Sequence, residues 1–113
     1  MKNKAEFNII NRTNCLIDKA HQIAETKYNR TGSDMVNRGE MDGFRAAGLS
    51  FIESLYGKSH SYYSGFQTST DKNYFNSLIA GEKILTSIRD EIENGWMASY
   101  SRFGFCRYIF RFY

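Results

Sequence analysis

The sequence predicts an all-α fold, a small antiparallel helical bundle, as one domain over residues 1–113. Three observations predict it. The length of 113 residues is common for one domain. Apolar residues at 42% and charged residues at 24% are typical of a globular protein. Proline is absent, so long uninterrupted helices are possible anywhere in the chain. We expect a helical body over residues 1–95 and an aromatic, basic segment over residues 96–113.

The first helix is expected to follow Asn14, because apolar residues then recur at helical spacing. That face consists of Leu16, Ala20, Ile23, Ala24 and Lys27. Phe7 and Ile10 extend the pattern backwards, but the polar residues between Asn11 and Asn14 favour caps over helix interiors. We therefore expect a break or kink near Asn11. Residues 29–32, with the sequence Asn-Arg-Thr-Gly, then predict a turn.

The second helix is predicted from about Asp34 to Tyr56. Ser33 is a suitable N-cap, and Gly57 is a suitable residue to end the helix. Its apolar face consists of Met41, Phe44, Gly48, Phe51 and Leu55.

The third helix is predicted from about Asp71 to Asn94, capped by Thr70 or Asp71 and ended by Gly95. Its apolar stripe consists of Tyr74, Leu78, Gly81, Leu85, Ile88 and Ile92, with Ile84 beside it. The other face is interpreted as solvated surface and carries Glu82, Lys83, Asp90, Glu91 and Glu93.

Gly48 and Gly81 occupy matching positions in two similar stretches, residues 47–55 and 80–88. Small residues inside helices allow two backbones to approach closely, at a cost of about 1 kcal/mol for each glycine. The sequence therefore predicts that these two glycines face each other in a tight antiparallel crossing.

The sequence contains no recognisable catalytic motif. The chain has two histidines, and it lacks the common nucleophile, phosphate-binding and metalloprotease motifs. His21 precedes Glu25 by one helical turn, which favours a surface hydrogen-bonding histidine over a metal ligand. Cys15 and Cys106 are interpreted as reduced, partly buried thiols. We predict no catalytic residue, metal site or cofactor, and therefore no enzyme.

Residues 56–66 combine four aromatic rings with His60 and Lys58 between two predicted helices. Rings and cations together are suited to a planar anionic ligand such as a nucleotide. The candidate ligand-binding residues are Arg45, Tyr56, Lys58, His60 and Tyr63. The alternative is that the tyrosines only pack this connection, with their hydroxyls outward and no ligand.

The segment over residues 96–113, called the tail, holds eight of the eighteen aromatic residues, three arginines and no acid. The pattern fits either a short helix or a strand. So much aromatic surface favours self-association, and we expect a homo-oligomer, with a dimer favoured. The candidate interface residues are Trp96, Tyr100, Phe103, Arg107 and Phe110.

The charge distribution argues against a general nucleic-acid-binding protein, and the lack of long apolar runs argues against a membrane protein. The tail arginines account for all of the net charge of +3, so the body is neutral and broad nucleic-acid binding is not expected. No apolar stretch approaches the roughly 20 residues that cross a bilayer, and no apolar run follows the charged N-terminus. We therefore predict a cytoplasmic protein without a membrane partner.

Residues 38–96 carry a distinctive series of motifs: AGxxFI at 47–52, LYG at 55–57, HxYYxxF at 60–66, AGxxIL at 80–85 and IxxEIExGW at 88–96. This order resembles a helical module of uncharacterised bacterial and phage proteins, some linked to antiphage defence. In that group the chain usually continues past the Gly-aromatic pair into further helical sequence, whereas here a short aromatic tail follows. This departure from the group leads us to expect a stand-alone or phage-reduced version. The resemblance implies a setting and no chemistry.

We therefore expect a non-enzymatic helical binding module that engages a nucleotide-like small molecule or a protein partner. The alternative is a nucleic-acid-binding protein that uses the basic aromatic tail.

Overall fold

The computed structural model describes residues 4–94, which form four helices and one β-hairpin. The elements are α1 (Lys4–Ala24), β1 (Tyr28–Arg30), β2 (Ser33–Met35), α2 (Arg38–Tyr56), α3 (Ser61–Ser69) and α4 (Phe75–Glu93). The mostly helical architecture confirms the expected fold class, with a two-stranded antiparallel sheet added. The tail lies outside the described residues, so the choice between helix and strand there stays a prediction.

The helix α1 runs without interruption through the polar residues where a break was predicted, so that prediction is wrong. The Thr13 hydroxyl donates a hydrogen bond to the Ile9 carbonyl oxygen at 2.7 Å, and its side chain is fully buried. Because this hydroxyl is bonded to the preceding turn of the same helix, it does not compete with the backbone hydrogen bonds and does not interrupt the helix. The buried face of α1 therefore begins earlier than expected and consists of Ile10, Thr13, Ile17, Ala20 and Ile23.

The predicted turn at residues 29–32 is confirmed, and it joins the two strands of a hairpin. Thr31 and Gly32 both have positive φ, at 49° and 86°, as the two central residues of a type I′ hairpin turn require. Asn29 pairs with Asp34 across the hairpin. Ser33 therefore begins β2 and does not cap a helix, which corrects the predicted start of the second helix.

The true N-cap of α2 is Asn37, whose Oδ1 accepts a hydrogen bond from the Glu40 backbone N–H at 2.9 Å. The helix starts late because the chain before it is held against a second extended segment. The Val36 N–H donates to the Asn73 carbonyl oxygen at 2.9 Å, and Asn73 Nδ2 donates back to the Val36 carbonyl oxygen at 2.8 Å.

The same pairing delays the start of α4. The backbone of Tyr74 bridges to Met35 beside the hairpin, so α4 begins at Phe75 with Tyr74 as its N-cap residue. Neither Thr70 nor Asp71 caps this helix. The Thr70 hydroxyl instead donates to the Phe66 carbonyl oxygen at 2.6 Å, at the end of α3.

The helix α3 was not predicted, and it changes how the two 19-residue helices, α2 and α4, meet. It places the fully buried ring of Phe66 between α2 and α4. A Cβ atom added to Gly48 would touch this ring, and one added to Gly81 would lie 2.7 Å from the Thr70 methyl group and 3.2 Å from the same ring. Gly48 and Gly81 therefore each make room for α3, and the prediction that they face each other is wrong.

The core is built from one stripe of each long helix. α1 contacts α2 and α4, while α3 contacts α2 and α4 from the other side. The predicted stripes are largely confirmed, although Tyr74 is 44% exposed, Leu55 is half-buried, and Ile52 is an additional core residue. The predicted stripe residues that are buried are Met41, Phe44, Gly48, Phe51, Leu78, Gly81, Leu85, Ile88 and Ile92.

Candidate functional site

Three aromatic rings and one carboxylate meet at the end of the bundle where α2 finishes and α3 begins. We call Tyr56, His60, Tyr62 and Glu91 the ring cluster. Tyr56 is the last residue of α2, His60 is the N-cap of α3, and Tyr62 lies in the first turn of α3. Glu91 is in the last turn of α4. The short connection between α2 and α3 brings these residues together.

The three rings contact one another directly. Their centroids are 4.4 Å apart for Tyr56 and His60, 4.9 Å for His60 and Tyr62, and 5.4 Å for Tyr56 and Tyr62. The two tyrosines meet edge to face, which is a favourable aromatic arrangement. All three side chains are half-buried, so each ring has one side fixed by packing and another that reaches the surface.

Glu91 accepts hydrogen bonds from both phenols. The Tyr56 hydroxyl donates to Glu91 Oε1 at 3.4 Å, and the Tyr62 hydroxyl donates to Oε2. Burial, reinforced by the nearby carboxylate, raises the pKa of Tyr56 and the pKa of Tyr62 well above the ordinary tyrosine value. Both phenols therefore stay neutral and remain donors at neutral pH.

His60 has a local structural role in addition to its place in the cluster. The Tyr62 backbone N–H donates a hydrogen bond to His60 Nδ1 at 3.0 Å, so the imidazole caps α3. A nitrogen that accepts a hydrogen bond carries no proton, which assigns the proton of a neutral ring to Nε2. Nε2 is the one ring nitrogen that this cap leaves for other contacts.

The structure brings together only two of the five predicted ligand-binding residues, Tyr56 and His60. Arg45 donates from a terminal nitrogen to the Gln67 carbonyl oxygen at 3.0 Å, at the opposite end of α3 from His60. Lys58 is exposed on the turn before α3, and Tyr63 is half-buried against the core. The structure therefore separates Arg45 from His60 along α3, and ligand binding by His60 and Tyr63 with Arg45 or Lys58 stays a prediction.

The structure adds two residues that sequence reasoning missed, Tyr62 and Glu91. Glu91 was interpreted as solvated surface, but it is half-buried and holds two phenols. Its position, three residues after Ile88 and one before Ile92 on the buried stripe, was the signal that it lies at the edge of the core. Asp90 and Glu93 are exposed, as expected.

The remaining candidate residues have simpler environments. His21 is exposed and contacts Glu82 at 3.1 Å, which confirms a surface hydrogen-bonding histidine. Cys15 is exposed, which corrects the expected partial burial. Within residues 4–94, no three His, Cys, Asp or Glu side chains come together as a metal site, and no helix is both long and apolar enough to span a membrane. Cys106 and the five candidate interface residues of the tail lie outside the described residues.

Comparison with protein-family models, curated proteins and solved structures finds no match to this chain.

Proposed function

We propose that this chain is a non-enzymatic helical binding module that engages a protein partner. In this proposal the ring cluster receives a cationic side chain of that partner. The supporting observation is that Glu91 lies against two neutral phenols, which adds a full negative charge to a group of three rings. Aromatic faces and a carboxylate both attract a cation.

The Glu91 carboxylate retains capacity for such a ligand. An ionised carboxylate has about four lone-pair positions, and the two phenols occupy two of them. The half-buried position also weakens screening by water and salt, so a guanidinium or ammonium group there gains more than at a fully exposed acid. Asp90, the neighbouring acid on α4, is exposed and lies 3.7 Å from Arg89 Nε, so Glu91 supplies the charge of the cluster.

A nucleotide-like ligand is less well supported by this geometry. Its phosphates would meet the charge of Glu91, while Arg45 is directed to the far end of α3. Lys58 is the one predicted cation on the connection itself. General nucleic-acid binding is also less well supported, because residues 4–94 carry 11 basic and 12 acidic residues, a formal charge of −1.

The tail supplies the second part of the proposal. We propose that its aromatic residues join two copies of the chain in a dimer, since closed two-fold assemblies are the commonest. We also propose a cytoplasmic location, on the basis of the sequence patterns, and a phage or defence setting, on the basis of the resemblance over residues 38–96. The proposed interface residues are Trp96, Tyr100, Phe103, Arg107 and Phe110.

Backbone-amide NMR tests the cationic-partner proposal with two matched small probes. We expect N-acetyl-arginine amide to shift the amide resonances of residues 56–62 and 89–93. The citrulline analogue, which has the same shape but no charge, should leave them nearly unchanged. Equal shifts with citrulline would contradict the role of charge. Larger shifts at the same residues with ATP would instead support the nucleotide-like alternative.

A further inference from the structure

A cleft of about 480 Å³ lies between the β-hairpin and the start of α4. It is at the other end of the bundle from the ring cluster, because α2 begins beside the hairpin and ends at Tyr56. Its volume is within the range of about 300 to 1,000 Å³ that is typical of ligand sites. Its side chains come from Asn29, Ser33, Asp34, Tyr74, Asn76 and Ser77.

The backbone holds the walls of this cleft in a defined arrangement. The hairpin register places Asn29 opposite Asp34. The bridge between Met35 and Tyr74 then fixes the start of α4 beside the hairpin. The paired hydrogen bonds between Val36 and Asn73 hold the same two segments at the next position, one residue after Met35 and one residue before Tyr74. The cleft is therefore formed before any ligand arrives, which reduces the entropic cost of binding.

Most polar groups around the cleft have no partner among residues 4–94. No side-chain hydrogen bond within that range engages the hydroxyls of Ser33, Tyr74 and Ser77 or the carboxamide of Asn76. The Asp34 carboxylate accepts from Asn29 Nδ2 at 3.2 Å and lies 3.9 Å from Lys27 Nζ. That carboxylate has further lone pairs for a ligand donor.

We infer that this cleft binds a neutral polyhydroxylated ligand of the carbohydrate class. Sugar hydroxyls both donate and accept hydrogen bonds. The walls offer the Asp34 carboxylate as an acceptor, and they offer side-chain hydroxyls and a carboxamide that can donate or accept. The half-exposed ring of Tyr74 gives a flat apolar surface for the C–H face of a pyranose. An apolar ligand would leave the lining polar groups buried and unpaired.

The lining also disfavours an anionic ligand. Its one charged side chain is Asp34, which would repel a phosphate or carboxylate. Lys27 is not among the lining residues, and its ammonium group lies 3.9 Å from Asp34 Oδ2 and 4.7 Å from the Phe75 ring centroid, so it offsets part of the Asp34 charge from outside the cleft lining. This surface is separate from the ring cluster, so the inference does not depend on the proposed function.

NMR titration with methyl glycosides of glucose, galactose, mannose and N-acetylglucosamine, and with their disaccharides, tests the inference. At least one probe should shift the amides of residues 29–34 and 74–77. Tyr74→Ala should weaken that binding by about tenfold or more, equivalent to about 1.4 kcal/mol. Tyr74→Phe keeps the flat ring and should retain most of the affinity.

Tyr28→Ala is the matched control, because Tyr28 is also 44% exposed and belongs to the same strand ladder but does not line the cleft. It should leave glycoside binding unchanged. The inference is overturned if no glycoside shifts these amides, or if Tyr28→Ala and Tyr74→Ala weaken binding equally. Stronger shifts of the same amides by methyl phosphate or tetramethylammonium would overturn the ligand class.

Discussion

Adding one methyl group at Gly48 tests the central packing feature of the fold, the insertion of α3 between α2 and α4. A Cβ atom at this position would lie 2.6 Å from Phe66 Cε1 and closer still to Cζ. The Phe66 ring is fully buried and rests 5.7 Å from the ring of Phe44, centroid to centroid. The ring therefore has little room to move away from the added methyl group.

Two opposing effects set the size of the change. Alanine is favoured over glycine in a helix interior by about 1 kcal/mol. Overpacking of a filled core costs about 1 to 3 kcal/mol, and a clash this short with a ring lies towards the upper end. Gly48→Ala should therefore lower the free energy of unfolding by about 1 to 2 kcal/mol. For a domain of this size each kcal/mol lowers the melting midpoint by about 4 to 8 °C.

Gly43→Ala is the matched control on the same helix. A Cβ at Gly43 meets nothing within 4 Å and the residue is exposed, so only the helix-propensity gain applies. This variant should raise the free energy of unfolding by up to about 1 kcal/mol. Chemical denaturation of both variants and the parent protein gives the comparison. If Gly48→Ala were as stable as Gly43→Ala, the close contact with Phe66 would not exist in solution.

Three further predictions concern the turn, the ring cluster and the tail. Thr31→Asn should raise the free energy of unfolding, measured by urea denaturation, by about 0.5 to 1 kcal/mol, because asparagine tolerates positive φ better than a β-branched residue. A loss of stability would contradict the type I′ turn. Unfolded tyrosines ionise near pH 10, whereas Tyr56 and Tyr62 keep their protons to higher pH, so the free energy of unfolding should fall as the pH rises past about 10. Tyr62→Phe should make that fall shallower and cost about 1 kcal/mol at neutral pH, and an unchanged alkaline slope would be inconsistent with the raised pKa. In light scattering the full chain should be a dimer and a chain ending at Gly95 a monomer; a monomeric full chain or equal assembly of both would refute the tail interface.

The long helices were predictable because their apolar residues recur with helical spacing. The predicted stripes of α2 and α4 contain all of the residues that these two helices bury except Ile52. The helix starts were not predictable in the same way. Ser33 and Thr70 are good capping residues, but pairing between Val36 and Asn73 keeps the chain extended past both of them. A tertiary contact between distant segments overrides the local capping preference.

The helix α3 was missed because its residues carry weak helical signals. It contains nine residues, and only Phe66 among them is fully buried, so no apolar stripe reveals it. Its N-cap is a histidine, which is not among the usual capping residues. The packing of Gly48 and Gly81 was correctly recognised as close, but a sequence cannot say which neighbour occupies the space that a glycine leaves.

The candidate site was only partly predictable. The unusual composition of residues 56–66 identified the connection, and Tyr56 and His60 do meet there. Arg45 was expected to supply a cation for an anionic ligand, yet α3 runs back along α2 and Arg45 lies beside its far end, where it contacts Gln67. Glu91 is 29 residues beyond Tyr62 and 35 beyond Tyr56, so only the three-dimensional fold reveals their hydrogen bonds.

The affinity of the Glu91→Gln variant for a short arginine-containing peptide tests the proposed function most directly. In calorimetry at neutral pH, the Glu91→Gln variant should bind the peptide about tenfold or more weakly than the parent protein does. The glutamine amide keeps the shape of the glutamate side chain and loses its charge. Asp90→Asn removes an exposed acid from the same helix turn and should change the affinity by no more than about twofold. Equal effects of the two substitutions, or unchanged binding by Glu91→Gln, would contradict a cationic site at the ring cluster.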